Sequence, residues 1–488
     1  MNRVLRQWRR IAALAAVGLL AAAGTAGAST TLTRVSSDPY TNSTSQHATE
    51  VEPDTFAAHG TVVSAFQVGR FFAGGSSDIG VVRSGDGGAT WGASTFLHDT
   101  FNSGKASSPY ERVSDASVAY DAAHRVWMVS SIPILPSGVV PDAQINRSTD
   151  DGRTWGPAIG IPPPVPSSTF IDKNWTVCDN HPSSPFYGHC YTEMDDAAAN
   201  DLELMSTSTD GGLTWSVPIR TDGNDKGLGG QPLVQPSGRV IVPFESWNGT
   251  ISAFHSDNGG ASWSRGFKVS GVRFHPVAGG LRTSPLPTAE IAGDGTVYVA
   301  WEDCRFRKNC PANDIVFSRS SDGVTWTAPA RVPIDPVTST ADHFIPGLAV
   351  DPTTSGAGTH LALTYYFYPN ANCGGACRLD VGYISSPDGG AHWGNATQLA
   401  GPMGLSQIAN TSQGPMTGDY ISTSFSGGMA TTVFPIGRDA ATRAFNEALY
   451  SPGRLPVASA AQALHAAVST GTFGAVGTGE THRALRAD

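Results

Sequence analysis

The sequence has 488 residues, of which only 15% are charged, and its formal net charge is −10. An acidic chain of this kind is not expected to bind nucleic acid or anionic membrane surfaces. Its 56 glycines and 33 prolines are typical of a protein with many turns. Apolar residues almost never recur with the spacing of a helix, so their pattern favours an all-β fold.

The first residues predict an export signal. Four arginines precede an apolar run from Ile11 to about Ala23, and residues 26–28 form a small-x-small cleavage pattern. This order is typical of a secretory signal peptide, here residues 1–28, because the apolar run is short for a membrane span. We therefore expect a secreted, extracellular protein with no membrane segment after cleavage. The remaining chain has a formal charge of −14, because the removed segment holds four arginines and no acid.

An eight-residue pattern recurs along the chain. The clearest copy is STDGGLTW at residues 208–215, and the other copies lie at residues 84–91, 148–155, 256–263, 320–326 and 386–393. Aspartate and glycine favour a tight turn, because glycine takes positive φ and the carboxylate accepts hydrogen bonds from turn amides. The final tryptophan can bury a large area over a hairpin. We interpret the repeat as a structural hairpin and not as a catalytic motif.

Short apolar strands precede each copy of the repeat, and the copies lie about 45 to 70 residues apart. In each group, one strand leads into the hairpin and another strand precedes it. These preceding strands are predicted over residues 61–70, 125–132, 188–195, 238–247, 295–301 and 360–368. A seventh group follows, with strands predicted near residues 418–425, 427–437 and 445–451. Residues 30–37 are predicted to supply its outer strand and to close a ring. Periods of this size, with several short strands each, predict a propeller or a solenoid.

Six cysteines lie in three close pairs. The predicted disulfides are Cys178 with Cys190, Cys304 with Cys310, and Cys373 with Cys377. An even number of cysteines in an exported chain favours disulfides, and no spacing matches a zinc site. No phosphate loop, haem motif or dinucleotide fingerprint is present in the sequence, so neither a metal nor a cofactor is predicted.

The recurring pattern resembles the Asp-box, or BNR repeat, of the sialidase-like β-propeller families. Asn258 replaces the aspartate in one copy, another copy is one residue short, and His392 replaces the threonine in the last. The resemblance implies an all-β propeller of four-stranded antiparallel blades, with seven blades preferred and six as the alternative. We expect one domain over residues 29–457, acting as a monomer. A low-complexity tail without regular structure is expected over residues 458–488.

The resemblance places the repeats at one end of the blades, so substrate is expected at the other end. The loops at that end come before the first strand and after the second strand of each four-stranded blade, so candidate side chains are expected there. Arginines that can clamp a substrate carboxylate are Arg112, Arg282 and Arg305. Candidates for stacking on sugar rings are Trp175 and Trp247. Each of these side chains can instead serve the fold alone, by pairing or packing.

The same loops supply candidates for the chemistry. Proton donors or acceptors are sought among Asp172, Asp303 and Asp419. A nucleophile or base is sought in Tyr366 or Tyr420, with Glu193 as the neighbouring carboxylate, and His343 is a candidate general base. Turn capping, strand packing and ordinary hydrogen bonding are the structural alternatives for these residues.

Three functions remain open. The resemblance implies first a secreted, sialidase-like exo-glycoside hydrolase that acts on an acidic sugar held by the arginines. The second is a polysaccharide lyase that acts on uronate-containing glycans, with His343 or Tyr366 as the base. The third is a non-enzymatic propeller that binds glycan or protein. The partner in the first two cases is a glycan or glycoconjugate, and a likeness of fold does not choose among the three.

Overall fold

The structure is a computed structural model that describes residues 31–165, 167–441 and 443–470. The segment interpreted as a signal peptide and the end of the tail from residue 471 lie outside the described residues. Across the described residues, no helix has both the length and the apolar character that a membrane crossing requires.

The described chain consists almost entirely of short strands. The strands of its first part are β1 (Thr33–Arg34), β2 (Gln46–Ala58), β3 (Thr61–Arg70), β4 (Ser76–Ser84), β5 (Thr95–Phe96), β6 (Arg112–Asp121), β7 (Val126–Ile134), β8 (Gln144–Ser148), β9 (Ile159–Gly160), β10 (Ile171–Cys178), β11 (Cys190–Asp196), β12 (Leu202–Ser208), β13 (Ile219–Arg220), β14 (Gly227–Leu228), β15 (Leu233–Val234) and β16 (Val240–Ser246). The second part adds β17 (Thr250–Ser256), β18 (Phe267–Gly271), β19 (Thr288–Ile291), β20 (Val297–Asp303), β21 (Asp314–Ser320), β22 (Ala330–Arg331), β23 (Asp342–Val350), β24 (Leu361–Tyr368), β25 (Arg378–Ser386), β26 (Thr397–Gly404), β27 (Ala409–Thr411), β28 (Gly414–Met416), β29 (Ser422–Ser426), β30 (Met429–Gly437), β31 (Glu447–Ser451) and β32 (Arg454–Leu455). Short 3-10 turns lie at Ala197–Ala199, Ala278–Gly280, Gly356–Gly358, Gly374–Ala376 and Leu405–Gln407, and one α-helix, α1, spans Ala460–Thr470.

The strands pair in antiparallel groups that follow chain order. The groups β2 to β5, β6 to β9, β10 to β13, β19 to β22 and β23 to β26 each pair consecutively, and β16 pairs with β14, β15 and β17 in a further group that ends at β18. First strands of successive groups contact one another in the order β2, β6, β10, β15, β19, β23, β29, and β29 contacts β2 in turn. The all-β prediction is confirmed.

The N-terminal strand pairs with the last group of the chain. Thr33 lies opposite Ser451 and Arg34 opposite Tyr450, so β1 is the outer neighbour of β31, which pairs with β30 and through it with β29. This pairing was predicted from residues 30–37. It ties the two ends of the described chain into one sheet, so the unpaired edge of β31 is covered.

Each repeat forms the turn between the third and fourth strand of a group. In the copy at residues 208–215, the Asp210 carboxylate accepts hydrogen bonds from the amides of Leu213 at 3.0 Å and Thr214 at 2.9 Å. Its second oxygen accepts the Thr214 hydroxyl at 2.6 Å, and the Ser208 hydroxyl donates to Asp210 at 2.9 Å. The aspartate therefore satisfies the turn amides. The Asn258 and His392 variants keep the pattern through Ser262 and Asp388.

The second glycine of the repeat lets the turn approach the preceding sheet. Gly212 has φ of 77°, and a Cβ there would lie 2.9 Å from the Met128 sulfur on β7. Only glycine fits both the positive φ and this close approach.

The repeat tryptophans pack between neighbouring groups. Buried apolar residues form seven clusters in the described chain, and each joins two successive groups. Six of these clusters each receive one repeat tryptophan: Trp91, Trp155, Trp215, Trp263, Trp326 and Trp393. The repeat thus fastens each group to the one before it, and the structural interpretation accounts for its recurrence.

A repeat aspartate is expected to contribute to stability and not to the cavity described below. Hydrogen bonds from the Thr90 hydroxyl and amide, and from Ser84, lower the pKa of Asp86 to about 2. Replacing Asp86 with alanine should lower the free energy of unfolding by about 1 kcal/mol at neutral pH, because the turn loses its acceptor. A carboxyl with a lowered folded pKa stabilises above its unfolded pKa, so the difference should shrink as pH falls toward 2.

Chemical denaturation of Asp86→Ala across pH 2 to 7 checks this expectation. The control is Asp222→Ala, because the exposed Asp222 carboxylate makes no hydrogen bond to any described residue. Equal destabilisation by the two substitutions would contradict the assigned role of Asp86.

The three predicted disulfides are present. Cys178 bonds to Cys190, Cys304 to Cys310 and Cys373 to Cys377, and no described cysteine is free. The first joins β10 to β11, and the other two close surface loops that follow β20 and β24.

The C-terminal segment departs from the sequence analysis. An unstructured tail was expected from residue 458, yet α1 forms over Ala460–Thr470 and buries Ala463 and Ala466. The expectation is wrong for these residues, because an alanine-rich segment has high helix propensity and alanine packs closely against a neighbouring surface. The connection before α1 is held by the Ala458 amide, which donates to Ser385 at 2.9 Å.

Candidate functional site

A cavity of about 350 Å³ lies at the end of the sheets where the first strands begin. Its wall combines the starts of β6 and β10 with β2, the end of β3 and three later loops. Its charged lining residues are Glu52, Arg70, Arg112, Asp115, Asp172, Lys173, Arg282 and Asp419. This end is opposite the repeat hairpins, as the sequence analysis expected for a substrate site.

Irregularities in three first strands turn charged side chains into the cavity. The pairing of β2, β6 and β10 shifts register close to Glu52, Asp115 and Lys173. These residues have positive φ values of 54°, 51° and 42°, which is strained for side chains other than glycine. Such strain at equivalent places in three strands is typical of a functional site, where a bulge redirects a side chain.

Arg282 and Asp419 form a two-point ion pair across the cavity. Nε of Arg282 donates to Oδ1 of Asp419 at 2.8 Å, and Nη2 donates to Oδ2. Burial opposes ionisation of Asp419, but the adjacent guanidinium outweighs it and lowers the pKa of Asp419. The Asp419 amide donates to Glu52 at 3.1 Å, which connects the pair to β2.

Arg70 and Arg112 hold the loop of residues 71–75 at the rim. Arg70 donates from Nη1 to the Gly75 carbonyl at 2.8 Å, and Arg112 donates from Nη1 to the Gly74 carbonyl at 2.9 Å. Nη2 of neither arginine has a hydrogen-bond partner among the described residues. Both guanidinium groups therefore keep donors for an anionic ligand.

Lys173 places a buried ammonium beside aromatic rings. Its Nζ lies 3.5 Å from the ring centre of Tyr420 and 5.0 Å from that of Trp175. The Nζ atom is buried and has no hydrogen-bond partner in the described chain. A buried ammonium without hydrogen bonds is costly, and an anion or a polar ligand in the cavity would relieve that cost.

Two carboxyl groups of the cavity hold protons more tightly than usual. Burial, reinforced by the negative charge of Asp115, raises the pKa of Asp172 to about 6. Burial, with Asp115 and Asp419 nearby, raises the pKa of Glu52 to about 8. Asp172 remains half-buried and lines the cavity, so it can exchange a proton with a bound molecule.

The structure brings several predicted site residues together. Arg112, Arg282, Asp172 and Asp419 all line the cavity. Tyr420 lies just below it, where it borders a small adjoining space with Lys173 and Asp419. Its hydroxyl donates to the Ala116 carbonyl at 3.2 Å, and Trp175 meets its ring edge-on at 5.3 Å. Tyr420 and Trp175 therefore support the cavity floor, and neither is among the residues that line the cavity.

Asp303 and Arg305 lie elsewhere. The Arg305 Nε donates to Asp303 Oδ1 at 2.9 Å, and Trp301 donates to the other oxygen at 3.2 Å. This pair orders the loop closed by the Cys304–Cys310 disulfide. The structure places neither residue among those that line the cavity.

The remaining candidates serve the fold. Tyr366 is fully buried and donates to the Pro435 carbonyl at 2.6 Å, and Glu193 is fully buried on β11. His343 is buried between Tyr365 and Phe367, and burial lowers the pKa of its imidazole. Trp247 is 51% exposed at the turn after β16 and donates to Asp201 at 2.9 Å. None of these four residues is among the cavity-lining side chains.

Two groups of described residues have the spacing of a metal site, and neither fits a metal. Asp121 lies near Cys178 and Cys190, but the two sulfurs are joined in a disulfide. Asp314 and Asp335 lie near His343, but Arg307 and Arg331 bond to both aspartates and supply the positive charge. Arginine neutralises these carboxylates in the place a cation would take.

Four cavity residues were not predicted from the sequence: Arg70, Glu52, Asp115 and Lys173. Arg70 is the last residue of β3, so a search at the end of every second strand, applied to the first group as well, would have found it. Asp115 and Lys173 lie close in sequence to the predicted candidates Arg112 and Asp172. Glu52 had no sequence signal, because it lies within a long strand whose bulge is visible only in the pairing.

Residues 63–289 match the family described as "BNR repeat-like domain". No curated protein sequence matches the chain. Similar solved structures include a protein of unknown function from Dyadobacter fermentans, with 17% identity, a TM-score of 0.47, and coverage of 73% of this chain and 99% of the other.

Two further similar structures have described activities. An intramolecular trans-sialidase from Ruminococcus gnavus shares 15% identity at a TM-score of 0.43, with 86% of this chain and 97% of the other covered. An ulvan lyase from a new polysaccharide lyase family shares 10% identity at a TM-score of 0.48, with 89% of this chain and 99% of the other covered. Identities this low carry no argument about activity, which has to come from the cavity itself.

Proposed function

We propose that this chain, whose residues 63–289 match the BNR repeat-like domain, belongs to the sialidase-like families and is a carbohydrate-active enzyme that hydrolyses glycosidic bonds of an acidic sugar. The observation that carries the proposal is the convergence of four cationic side chains with one half-buried carboxyl of raised pKa on a single cavity. The cations bind the acid group of the sugar, and the carboxyl transfers the proton.

The cationic side chains form the anion receptor. Arg112 and Arg282 present guanidinium groups to the cavity, Arg70 adds unpaired donors, and Lys173 adds a buried ammonium. At mildly acidic pH, Glu52 and Asp172 are largely protonated. Asp115, Asp419 and Glu111, which pairs with Arg112 at 3.4 Å, are then left to balance four cations. The cavity then has a positive excess, which suits one carboxylate held by bidentate arginine contacts.

Asp172 is the proton donor in this proposal. A general acid works best when its pKa lies near the working pH, and the pKa of Asp172 is raised to about 6. The protonated carboxyl gives its proton to the leaving-group oxygen as the glycosidic bond breaks. Asp115, whose charge helps to raise the pKa of Asp172, is the second carboxylate that assists the attacking water or the sugar cation.

We further propose that the seven strand groups form a closed seven-bladed propeller. The contact order of the first strands returns from β29 to β2, and β1 completes the last group. In such an arrangement the strand starts surround a central axis, where the cavity would lie. We also propose that the protein is exported, as residues 1–28 and the three disulfides suggest.

A product assay tests the hydrolase. Purified protein is incubated at pH 5 to 8 with sialylated, uronate-containing and neutral glycans, and products are followed by mass and by ultraviolet absorbance. We expect a free acidic sugar and no absorbance change. Unsaturated products that absorb in the ultraviolet would instead indicate a lyase. Glycan binding without any product would overturn the enzyme and leave a binding protein.

A further inference from the structure

Two phenylalanines at the mouth of the cavity are unusually exposed. Phe72 is 54% exposed and Phe170 is 42% exposed, and both line the cavity beside the arginines. Exposed apolar side chains are common singly on protein surfaces. Two of them at the rim of one charged cavity form an apolar border that a ligand can cover.

Hydrogen bonds fix the backbone at both phenylalanines. The Phe72 carbonyl accepts the Ser412 amide at 2.9 Å, and the loop is closed by the Phe71 amide, which donates to the Gly75 carbonyl at 2.8 Å. The Phe170 carbonyl accepts the Ala197 amide at 2.9 Å, and Phe170 bridges to Val140. The two aromatic side chains therefore extend from fixed backbone, which lowers the entropy cost of binding against them.

The cavity is too small to enclose a long glycan. Its volume of about 350 Å³ is near the lower limit for ligand sites, so sugars beyond the acidic residue have to leave across the rim. The C–H face of a sugar ring is apolar, whereas its edge carries the hydroxyls. An aromatic ring binds that face, and the arginines deeper in the cavity bind the charged group.

We propose that Phe72 and Phe170 form a stacking subsite for the sugar next to the acidic residue, so that the substrate is an oligosaccharide or polysaccharide chain. This inference rests on the proposed function for the position of the acidic sugar. The arginines determine which end of the chain enters the cavity, and the two rings favour substrates in which a further sugar follows it. Binding energy from this remote sugar then assists cleavage at the cavity.

The experiment compares Phe72→Ala and Phe170→Ala with wild type on matched probes. The probes are sialyllactose and a glucuronate-terminated tetrasaccharide, each paired with the methyl glycoside of its terminal acid. Phe101→Ala is the control, because Phe101 is 39% exposed and lies outside the cavity lining. We expect each cavity variant to lose about tenfold in kcat/KM on the oligosaccharide and less than about twofold on the methyl glycoside.

Equilibrium binding of the same probes separates this inference from the proposed function. Phenylalanine-dependent oligosaccharide binding without cleavage would support the subsite and overturn the hydrolase. Cleavage that both phenylalanine variants leave unchanged would overturn the subsite and support the hydrolase. Equal losses on the oligosaccharide and the methyl glycoside would also overturn the subsite, since stacking on a second sugar affects only the longer probe. Absence of both binding and cleavage for every probe would overturn both.

Discussion

Replacing Asp172 with asparagine should abolish most of the hydrolase activity and leave the protein folded. The amide keeps the shape of the side chain but has no proton to give, so kcat/KM should fall by about a hundredfold or more. Asp172 must be protonated to act as an acid. Wild-type kcat/KM should therefore be level below pH 6 and decline as pH rises through about 6, the pKa of Asp172. The variant should lack that decline.

Stability should change in the opposite direction. The folded pKa of Asp172 is raised above the ordinary aspartate value, so ionisation at neutral pH opposes folding. Asparagine avoids that charge, and the variant should unfold at an equal or slightly higher temperature at pH 7. The control is Asp142→Asn, because burial also raises the pKa of Asp142 to about 6 while its side chain lies outside the cavity lining. Equal activity losses in the two variants would contradict the role of Asp172.

Replacing Arg282 with alanine should cost both binding and stability. The substitution removes one guanidinium from the receptor, so KM for an acidic substrate should rise by about tenfold or more. It also leaves Asp419 without its two-point partner, near Glu52. Losing one member of a buried pair costs several kcal/mol, and the partial exposure of this pair reduces the expected cost to about 2 kcal/mol.

Arg305→Ala is the matched control for this prediction. Arg305 also pairs with an aspartate, Asp303, and its side chain is about as exposed as that of Arg282, but it lies outside the cavity. Both variants should be destabilised, and only Arg282→Ala should raise KM when assayed well below its unfolding temperature. The double variant Arg282→Ala/Asp419→Asn should regain stability without regaining affinity. A KM that stays at the wild-type value in Arg282→Ala would remove Arg282 from the receptor.

Part of the candidate site was predictable because loops at one end of regular strands have a fixed direction. The repeats were assigned to hairpins at one end of the sheets, so the site was expected at the other end. Arg112, Asp172 and Arg282 were then predicted as site residues because they come before the first strands of their groups. The same rule also selected Arg305 and Asp303, which bond to each other and lie outside the cavity lining. Sequence position gives the end of the sheet on which a residue lies, but not whether its side chain reaches the cavity.

The bulged residues show a second limit. Glu52, Asp115 and Lys173 line the cavity because register shifts in β2, β6 and β10 reverse the direction of single side chains. Regular alternation would have assigned them to other faces. A bulge depends on pairing with a partner strand, so a single strand sequence does not reveal it.

The sequence by itself determined the strand periodicity, the hairpin repeats, the disulfide pairs and the pairing of the N-terminal strand with the last group. The first three features depend on local turn chemistry, on alternating apolar residues and on short separations along the chain, all of which are written in consecutive residues. The pairing of the N-terminal strand joins residues far apart in the chain, and it was predicted because the last group lacked an outer strand. The tertiary structure alone decided which charges meet. The cavity joins Glu52, Arg70, Lys173, Arg282 and Asp419 from distant parts of the chain. Their protonation depends on burial and on mutual distances that exist only in the folded protein.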